Sequence, residues 1–149
     1  MRLVVCVISL LILVSCGSKN NSTSEDESEM DHRTGIRLKQ YMVQGKKLYT
    51  TYCANCHQTD GSGLAKLYPP LAKSDYLMTD LERAACIVKY GMNGQIKVND
   101  IEFNQPMPAN DLTPIEIAEI ITYVSNSWGN EAGISSTRDV SQWLKKCKN

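Results

Sequence analysis

The chain contains few histidines, no excess of either charge and no N-terminal apolar run long enough to span a membrane. Its 149 residues include two histidines, and 16 basic residues balance 16 acidic ones. Because it has neither a basic tract nor interleaved aromatic residues, it lacks the electrostatic footprint of a nucleic-acid-binding protein. The apolar run of residues 3–14 falls short of the roughly 20 residues that a membrane-spanning helix needs. These absences argue against nucleic-acid binding and against a membrane span at this run.

A bacterial export signal explains the N-terminal run better. Met1 and Arg2 give it a positive start, and it ends in Leu13-Val14-Ser15-Cys16, which resembles the signal of bacterial lipoproteins. Lipidation of Cys16 would add several acyl chains, and several chains anchor a protein stably where one chain is marginal. We therefore expect residues 1–15 to be removed and Cys16 to be lipidated. The alternative is an ordinary signal peptide with an unrelated cysteine.

Residues 16–37 are predicted to be a flexible, lipid-anchored linker. They are rich in Ser, Asn, Lys and acidic residues, so they bury too little apolar surface to offset their ordering entropy. Such a tether would let an anchored domain reach neighbouring proteins, or would act as a plain spacer. Gly17 differs from the aspartate that retains lipoproteins at the inner membrane of enteric bacteria, which slightly favours the outer membrane, facing the periplasm.

The most informative motif is Cys53-Ala54-Asn55-Cys56-His57. This spacing is typical of c-type haem attachment, in which each thiol bonds one vinyl group and the histidine binds the iron. Export agrees with it, since bacteria attach haem c outside the cytoplasm. A zinc site would need two further ligands, and the other histidine, His32, lies far upstream. A thioredoxin-like dithiol would need a βαβ context, which the flanking sequence does not show.

The surrounding sequence predicts one small domain over residues 38–129. A helix from Gln40 runs into the haem motif, and capping boxes at residues 79–82 and 113–116 open two more helices. The second of these is expected to end near Trp128. Residues 95–103 predict a short hairpin around Asn99-Asp100. A last helix lies in a C-terminal extension, residues 130–149, that packs on the domain. The fold class is all-α, with at most one small hairpin.

A methionine is expected to supply the sixth iron ligand. Met107 lies between Pro106 and Pro108, and two prolines restrict the backbone, so its thioether is presented by a stiff loop. Met92 is the second candidate for this position. The third option is an iron with an open or water-bound site.

Residues 41–128 resemble class I (mono-haem) cytochromes c in a bacterial lipoprotein form. The likeness rests on the haem motif, Gly45, Tyr49, Pro69-Pro70-Leu71, Met107-Pro108, Ile120 and Tyr123. It implies a cytochrome c fold of four to five helices around one covalently bound haem c. It also implies a close crossing of the first and last core helices, at Gly45 and Tyr49.

The resemblance assigns roles around the iron as well. The Pro69 carbonyl should accept a hydrogen bond from the His57 ring, which orients the ligand. Leu71 should line the haem pocket, and Met107 should close the iron from the other side. The C-terminal extension after Gly129 has no counterpart in the minimal fold.

Cys86 and Cys147 are the remaining cysteines of the folded part. An even number of leftover cysteines in an exported protein suggests a disulfide. We predict that Cys86 and Cys147 are bonded and staple the tail to the domain. Two buried free thiols are the alternative.

These residues together predict an electron carrier and not an enzyme. An iron held by His57 and Met107 has a raised potential and no free coordination site. We expect a membrane-anchored cytochrome that passes single electrons between redox proteins of a respiratory chain, with no small-molecule substrate. A haem-based sensor, or a small haem enzyme with a displaceable sixth ligand, is the alternative.

Overall fold

The computed structural model describes the backbone of residues 22–147 and the side chains of residues 30–147. The predicted signal peptide and Cys16 lie outside the described residues. In chain order the described part forms α1 (Ser22–Tyr52), α2 (Ala54–His57), α3 (Asp75–Thr79), α4 (Leu81–Tyr90), β1 (Ile96–Val98), β2 (Ile101–Phe103), α5 (Pro114–Val124) and α6 (Thr137–Leu144). Within these bounds six helices and one two-stranded antiparallel sheet confirm the mainly helical fold class.

Helix α1 begins at Ser22, whereas the sequence predicts a helix only from Gln40. The stretch predicted as a flexible linker is therefore helical over residues 22–37. No proline interrupts it, and its acidic composition suits the positive N-terminal end of a helix dipole. Most side chains of residues 30–40 are exposed, so this part of α1 extends beyond the core. Among the described residues, no helix combines the length and apolar character needed to cross a membrane.

The core centres on the crossing of α1 and α5, as the resemblance implies. Gly45 lies at the crossing, where an added Cβ would overlap the Glu119 carbonyl and lie 2.7 Å from Tyr123 Cβ. Tyr49 is 1% exposed, and its ring centroid lies 5.5 Å from that of Tyr123 and 5.1 Å from that of Trp128. The missing side chain at Gly45 thus lets the two helix backbones approach and seals an aromatic cluster between them.

Helix α4 is capped by Asp80, one residue later than the predicted capping box. Asp80 Oδ1 accepts the Arg83 backbone N–H at 2.8 Å, while Thr79 ends α3 and its hydroxyl donates to the Asp75 carbonyl. The prediction of Thr79 as the cap is therefore wrong, because α3 occupies the preceding turn. Gly91 ends α4 at φ +77°, a backbone region that suits glycine.

The predicted hairpin is present. β1 and β2 pair antiparallel, with Ile96 opposite Phe103 and Val98 opposite Ile101. The two turn residues, Asn99 and Asp100, have φ values of +48° and +65°. Positive φ at both central positions is the geometry of the hairpin turns that asparagine and aspartate favour. Val98 and Phe103 are buried on the inner face of the hairpin.

Helix α5 starts as predicted but ends earlier. The Glu116 carboxylate accepts hydrogen bonds from the Thr113 hydroxyl and backbone N–H, which confirms the capping box. The helix stops at Val124, whereas the sequence predicts an end near Trp128. Trp128 and Gly129 follow with φ values of +55° and +91°, so the chain reverses there. The apolar Trp128 side chain is used in the aromatic cluster and not in a further helical turn.

The C-terminal extension folds back as α6 and packs on α4 and α5. Ser136 caps α6 through a reciprocal pair of hydrogen bonds with Asp139. Val140 on its inner face is fully buried. A disulfide joins Cys86 on α4 to Cys147, whose Cα atoms lie 5.6 Å apart. The extension is therefore fixed to the domain both by packing and by a covalent bond.

Candidate functional site: an apolar cleft around His57

An apolar cleft opens between α2, α4, the hairpin and α5. Its empty volume, including the solvent-facing mouth, is about 670 Å³. The residues around it are almost all apolar. Five residues that the sequence predicts to surround the cofactor lie at this cleft: Cys53, His57, Pro69, Leu71 and Met107.

His57 lies at the end of α2, buried against the loop that follows. Its Nδ1 lies 3.0 Å from the Pro69 carbonyl oxygen, which accepts the ring N–H. Burial lowers the pKa of His57, and the bond to Pro69 partly opposes that shift. The ring is therefore neutral at pH 7, as a metal ligand must be. With Nδ1 occupied, Nε2 is the nitrogen available to a metal.

The two cysteines of the motif are unpaired and half-buried, with Cys53 directly before α2 and Cys56 within it. Cys53 lines the main cleft, and Cys56 lines a smaller adjoining cavity of about 420 Å³. Burial, with a smaller contribution from Cys56, raises the pKa of Cys53 to about 12. A redox-active dithiol needs a thiolate, which a lowered pKa provides. The environment of Cys53 therefore argues against a thioredoxin-like role.

Met107 and Met92 both reach the cleft and are paired through their backbones. The Met107 N–H donates to the Met92 carbonyl at 2.9 Å, and the reverse bond is 2.8 Å. Both residues also line the smaller cavity, together with His57. The Tyr76 hydroxyl lies 3.9 Å from Met92 Sδ and donates to it. No described residue donates a hydrogen bond to the Met107 sulfur, which leaves it the freer of the two thioethers.

The loop of residues 58–73 holds Pro69 in place. The Gly61 carbonyl accepts the N–H groups of Leu71 at 2.8 Å and Ala72 at 2.9 Å, which closes the loop. The Gly63 N–H donates to the His57 carbonyl at 3.0 Å, and a Cβ on Gly63 would lie 2.7 Å from the Pro69 carbonyl oxygen. This close approach requires glycine at position 63, which also has φ +70°.

The family model for cytochrome c matches residues 42–128, more than half of the chain. The chain belongs to the cytochrome c family. Membership implies an electron-transfer haem protein with covalently bound haem c, and the family part of the prediction is thereby confirmed.

Three relatives of this cytochrome c come from bacteria. Over 101 residues it is 33% identical to cytochrome c-552 of Thermus thermophilus, which covers 64% of this chain and 66% of the relative. Over 74 residues it is 38% identical to cytochrome c-554(548) of Halomonas halodenitrificans, and this match covers 50% of this chain and 82% of the relative. Over 105 residues it is 31% identical to the cytochrome c subunit of a quinone alcohol dehydrogenase from Gluconacetobacter polyoxogenes. This match covers 67% of this chain and 22% of the relative. The chain thus spans just under two thirds of the first relative and about a fifth of the third.

The residues of this cytochrome c fit a covalently held haem. Two unpaired thiols and a neutral imidazole lie beside an apolar cleft that suits a flat apolar macrocycle. A zinc site fits less well, since no three His, Cys, Asp or Glu side chains group to hold a metal in the part of the chain that the structure describes. His57, with Met107 or Met92 from the same cleft, is the ligand set that the cleft offers to an iron.

Several cleft residues have no role predicted from the sequence. Tyr76 reaches the cleft from α3, with the Arg83 guanidinium 3.8 Å above its ring. Ile87 contributes from α4, and Ile96 and Val98 contribute from the hairpin. The alternating apolar residues of β1 could have indicated that Ile96 and Val98 both line the cleft, because alternate side chains of a strand face the same side. Tyr76 had no such signal, because its position depends on how α3 packs.

Proposed function

We propose that this chain is a lipid-anchored cytochrome c with one haem that passes single electrons between proteins of a respiratory chain outside the cytoplasm. The observation that carries the proposal is the buried His57 ring, which is fixed by the Pro69 carbonyl and faces an apolar cleft that also holds Met107. The single Cys-x-x-Cys-His motif supports one haem.

Four residues at the cleft and its adjoining cavity have a defined task in this proposal. Cys53 and Cys56 hold the haem through thioethers, and His57 Nε2 and the Met107 thioether bind the iron. When bound, the haem supplies a reversible one-electron couple. The apolar walls exclude water and raise the potential, since a less polar surrounding disfavours the more highly charged oxidised iron. Two protein ligands leave no open coordination position for peroxide or oxygen.

The N-terminal sequence supports the location. Export and lipidation at Cys16 would place the protein at a bacterial membrane, facing the periplasm, with the outer membrane favoured by Gly17. The part of helix α1 that precedes the core, residues 22–39, is about 27 Å long at 1.5 Å per residue. As a helical spacer it would hold the haem at a distance from the lipid surface, where other redox proteins can reach it.

The proposed partners are redox proteins, with no small-molecule substrate. One relative is named as the cytochrome c subunit of a quinone alcohol dehydrogenase. This supports a variant of the proposal in which the chain is a subunit of an oxidoreductase complex and delivers electrons within it. A size-exclusion profile of the detergent-solubilised native protein separates a free carrier from a subunit.

The deciding experiment is an optical spectrum of the reduced, haem-loaded protein before and after addition of carbon monoxide. An unchanged spectrum is expected, because His57 and Met107 leave no site for the gas. A clear shift would contradict the proposal and favour the alternative, a sensor or small haem enzyme with a displaceable sixth ligand. A reversible one-electron couple in the same sample is the second expected result.

A further inference from the structure

Asn130 lies where the C-terminal extension meets the loop that orients His57. We propose that Asn130 is a positioning residue for the iron ligand, holding the turn of residues 71–73 and thereby the Pro69 carbonyl against His57. The inference rests on the proposed function and adds to it a residue outside the matched family region, residues 42–128.

The Asn130 side chain makes three hydrogen bonds that join two distant parts of the chain. Its Nδ2 donates to the Leu71 carbonyl at 2.8 Å and to the Val124 carbonyl at 2.7 Å. Its Oδ1 accepts the Lys73 N–H at 2.9 Å. Asn130 is 8% exposed, so water does not easily replace these bonds. The amide thus ties the turn to the C-terminal end of α5.

The turn that Asn130 holds cannot satisfy its own backbone. Lys73 has φ +50°, a left-handed conformation that a lysine adopts only when its surroundings impose it. The Gly61 carbonyl satisfies the N–H groups of Leu71 and Ala72. The Leu71 carbonyl and the Lys73 N–H remain, and Asn130 pairs with both. Its loss would leave these two part-buried groups without their protein partner, which favours a rearranged turn.

A rearranged turn would reach His57 through a short, stiff path. Leu71 follows Pro69 and Pro70, whose rings restrict the backbone, so a shift at Leu71 is passed on to the Pro69 carbonyl. That carbonyl is the partner of His57 Nδ1 at 3.0 Å. Such a partner fixes the ring orientation of a metal-bound histidine and raises its basicity. Loss of the bond makes His57 a weaker electron donor, which raises the reduction potential of the iron.

Asn126 provides a matched control at the same end of α5. Its Nδ2 donates to the Thr122 and Gly133 carbonyls, both at 2.7 Å, and its Oδ1 accepts the Gly133 N–H at 2.8 Å. None of these partners belongs to the loop of residues 58–73. Asn126→Ala therefore removes a comparable set of side-chain hydrogen bonds without touching the support of Pro69.

The experiment compares Asn130→Ala and Asn130→Asp with Asn126→Ala in the full, haem-loaded protein. Asn130→Asp keeps the shape of the side chain and the acceptor for Lys73 but loses both donors, so it serves if the alanine variant loads haem poorly. The readouts are solvent exchange of the His57 Nδ1–H by proton NMR in the reduced state, the midpoint potential, and the free energy of unfolding.

All three variants are expected to lose stability, but only the Asn130 variants should change the ligand. In them the Nδ1–H should exchange roughly five- to tenfold faster, the factor set by one ordinary hydrogen bond, and in the uncharged Asn130→Ala variant the potential should rise. Exchange and potential equal to those of Asn126→Ala would overturn the inference and leave Asn130 a purely structural residue. A wild-type protein without a reversible couple would instead overturn the proposed function, and the exchange comparison would still decide the role of Asn130.

Discussion

The two sides of the cleft are built differently. The His57 side, residues 53–73, consists of α2 and the closed loop of residues 58–73, whose backbone groups are tied to Gly61, His57 and Asn130. The Met107 side, residues 104–109, is mostly exposed and is fixed by two hydrogen bonds between the backbones of Met107 and Met92. One candidate ligand therefore belongs to a cross-linked framework, and the other to a short surface segment between two prolines.

Because of this difference, we expect the two sides of the cleft to differ in how easily they open. Segments with few buried contacts open at a lower free energy than segments inside the core. Any opening of the iron site should therefore begin at Met107, while His57 keeps its place. Reactivity with external ligands should depend on the Met107 side, and the potential should depend on both.

The His57 side is broken most completely by removing the two thiols of the motif. Cys53→Ala combined with Cys56→Ala should abolish covalent haem, because no thioether can form. The intact mass of the denatured protein should fall by the mass of one haem relative to wild type. Cys86→Ser combined with Cys147→Ser is the control and should retain the haem, since this pair is disulfide-bonded away from the cleft. Covalent haem in the first variant would refute the assignment.

The Met107 side is opened by Met107→Ala. The reduced variant should bind carbon monoxide fully where wild type binds none, and its potential should fall because methionine ligation raises it. Optical titration with carbon monoxide and a redox titration measure both effects. Met92→Leu should behave as wild type. If Met92→Leu opens the site and Met107→Ala does not, the two methionines have exchanged roles.

Gly45→Ala tests the close crossing of α1 and α5, which supports the His57 side. The Tyr49 hydroxyl donates to the Gln58 carbonyl, so the helix crossing at Gly45 supports the start of the loop. An added Cβ overlaps the Glu119 carbonyl, and overpacking of this kind lowers the free energy of unfolding by about 3 kcal/mol. In the same helix, Gly35→Ala meets no atom within 4 Å and should stabilise the protein by about 1 kcal/mol. Denaturant unfolding of both variants measures the difference; equal effects would contradict the close crossing.

The smallest effect concerns the capping box that follows the Met107 segment. Hydrogen bonds from the Thr113 hydroxyl and then its backbone N–H lower the pKa of Glu116 from its ordinary value of 4.5. A lowered pKa stabilises the fold fully above the ordinary value, and this contribution is lost as the pH falls through the folded-state pKa. After allowance for solvent screening at this exposed site it amounts to about 0.5 kcal/mol.

Glu116→Gln tests this contribution, because glutamine keeps the capping geometry but does not titrate. The difference in unfolding free energy between wild type and variant should shrink as the pH falls from 7 to 3. A difference that stays constant over that range would show that Glu116 is not held by the box.

Features encoded within a few neighbouring residues were predictable from the sequence. The haem motif, the capping box at Thr113 and the hairpin turn at Asn99 all depend on local spacing or on a local backbone preference. A close helix crossing at Gly45 was predictable from the missing Cβ, but the helix that crosses there was identified only through the resemblance, since a glycine by itself does not say what approaches it.

Features that depend on distant partners were not predictable. The end of α5 at Val124 depends on Trp128 joining the aromatic cluster with Tyr49. The cap of α4 moved to Asp80 because α3 formed next to it. Asn130 contacts Lys73 and Leu71, which precede it in the chain by 57 and 59 positions. No local pattern reveals contacts over such a separation. The early start of α1 has a different cause: a polar composition without proline is compatible with both coil and helix.

The disulfide has a consequence for the kinetics of the iron site. By joining Cys86 to Cys147 it closes a covalent ring that contains Met107 and excludes His57. In the proposed ligand set, a Met107 thioether that is not bound to the iron would remain in a closed loop with both ends fixed to the core, and fraying of the C-terminus would not carry it away. Its effective concentration at the iron stays high, so recapture should outpace capture of a dilute external ligand. The disulfide on the far face of α4 would in this way favour binding of the Met107 sulfur over external ligands at the iron, although the Met107 segment itself is weakly held.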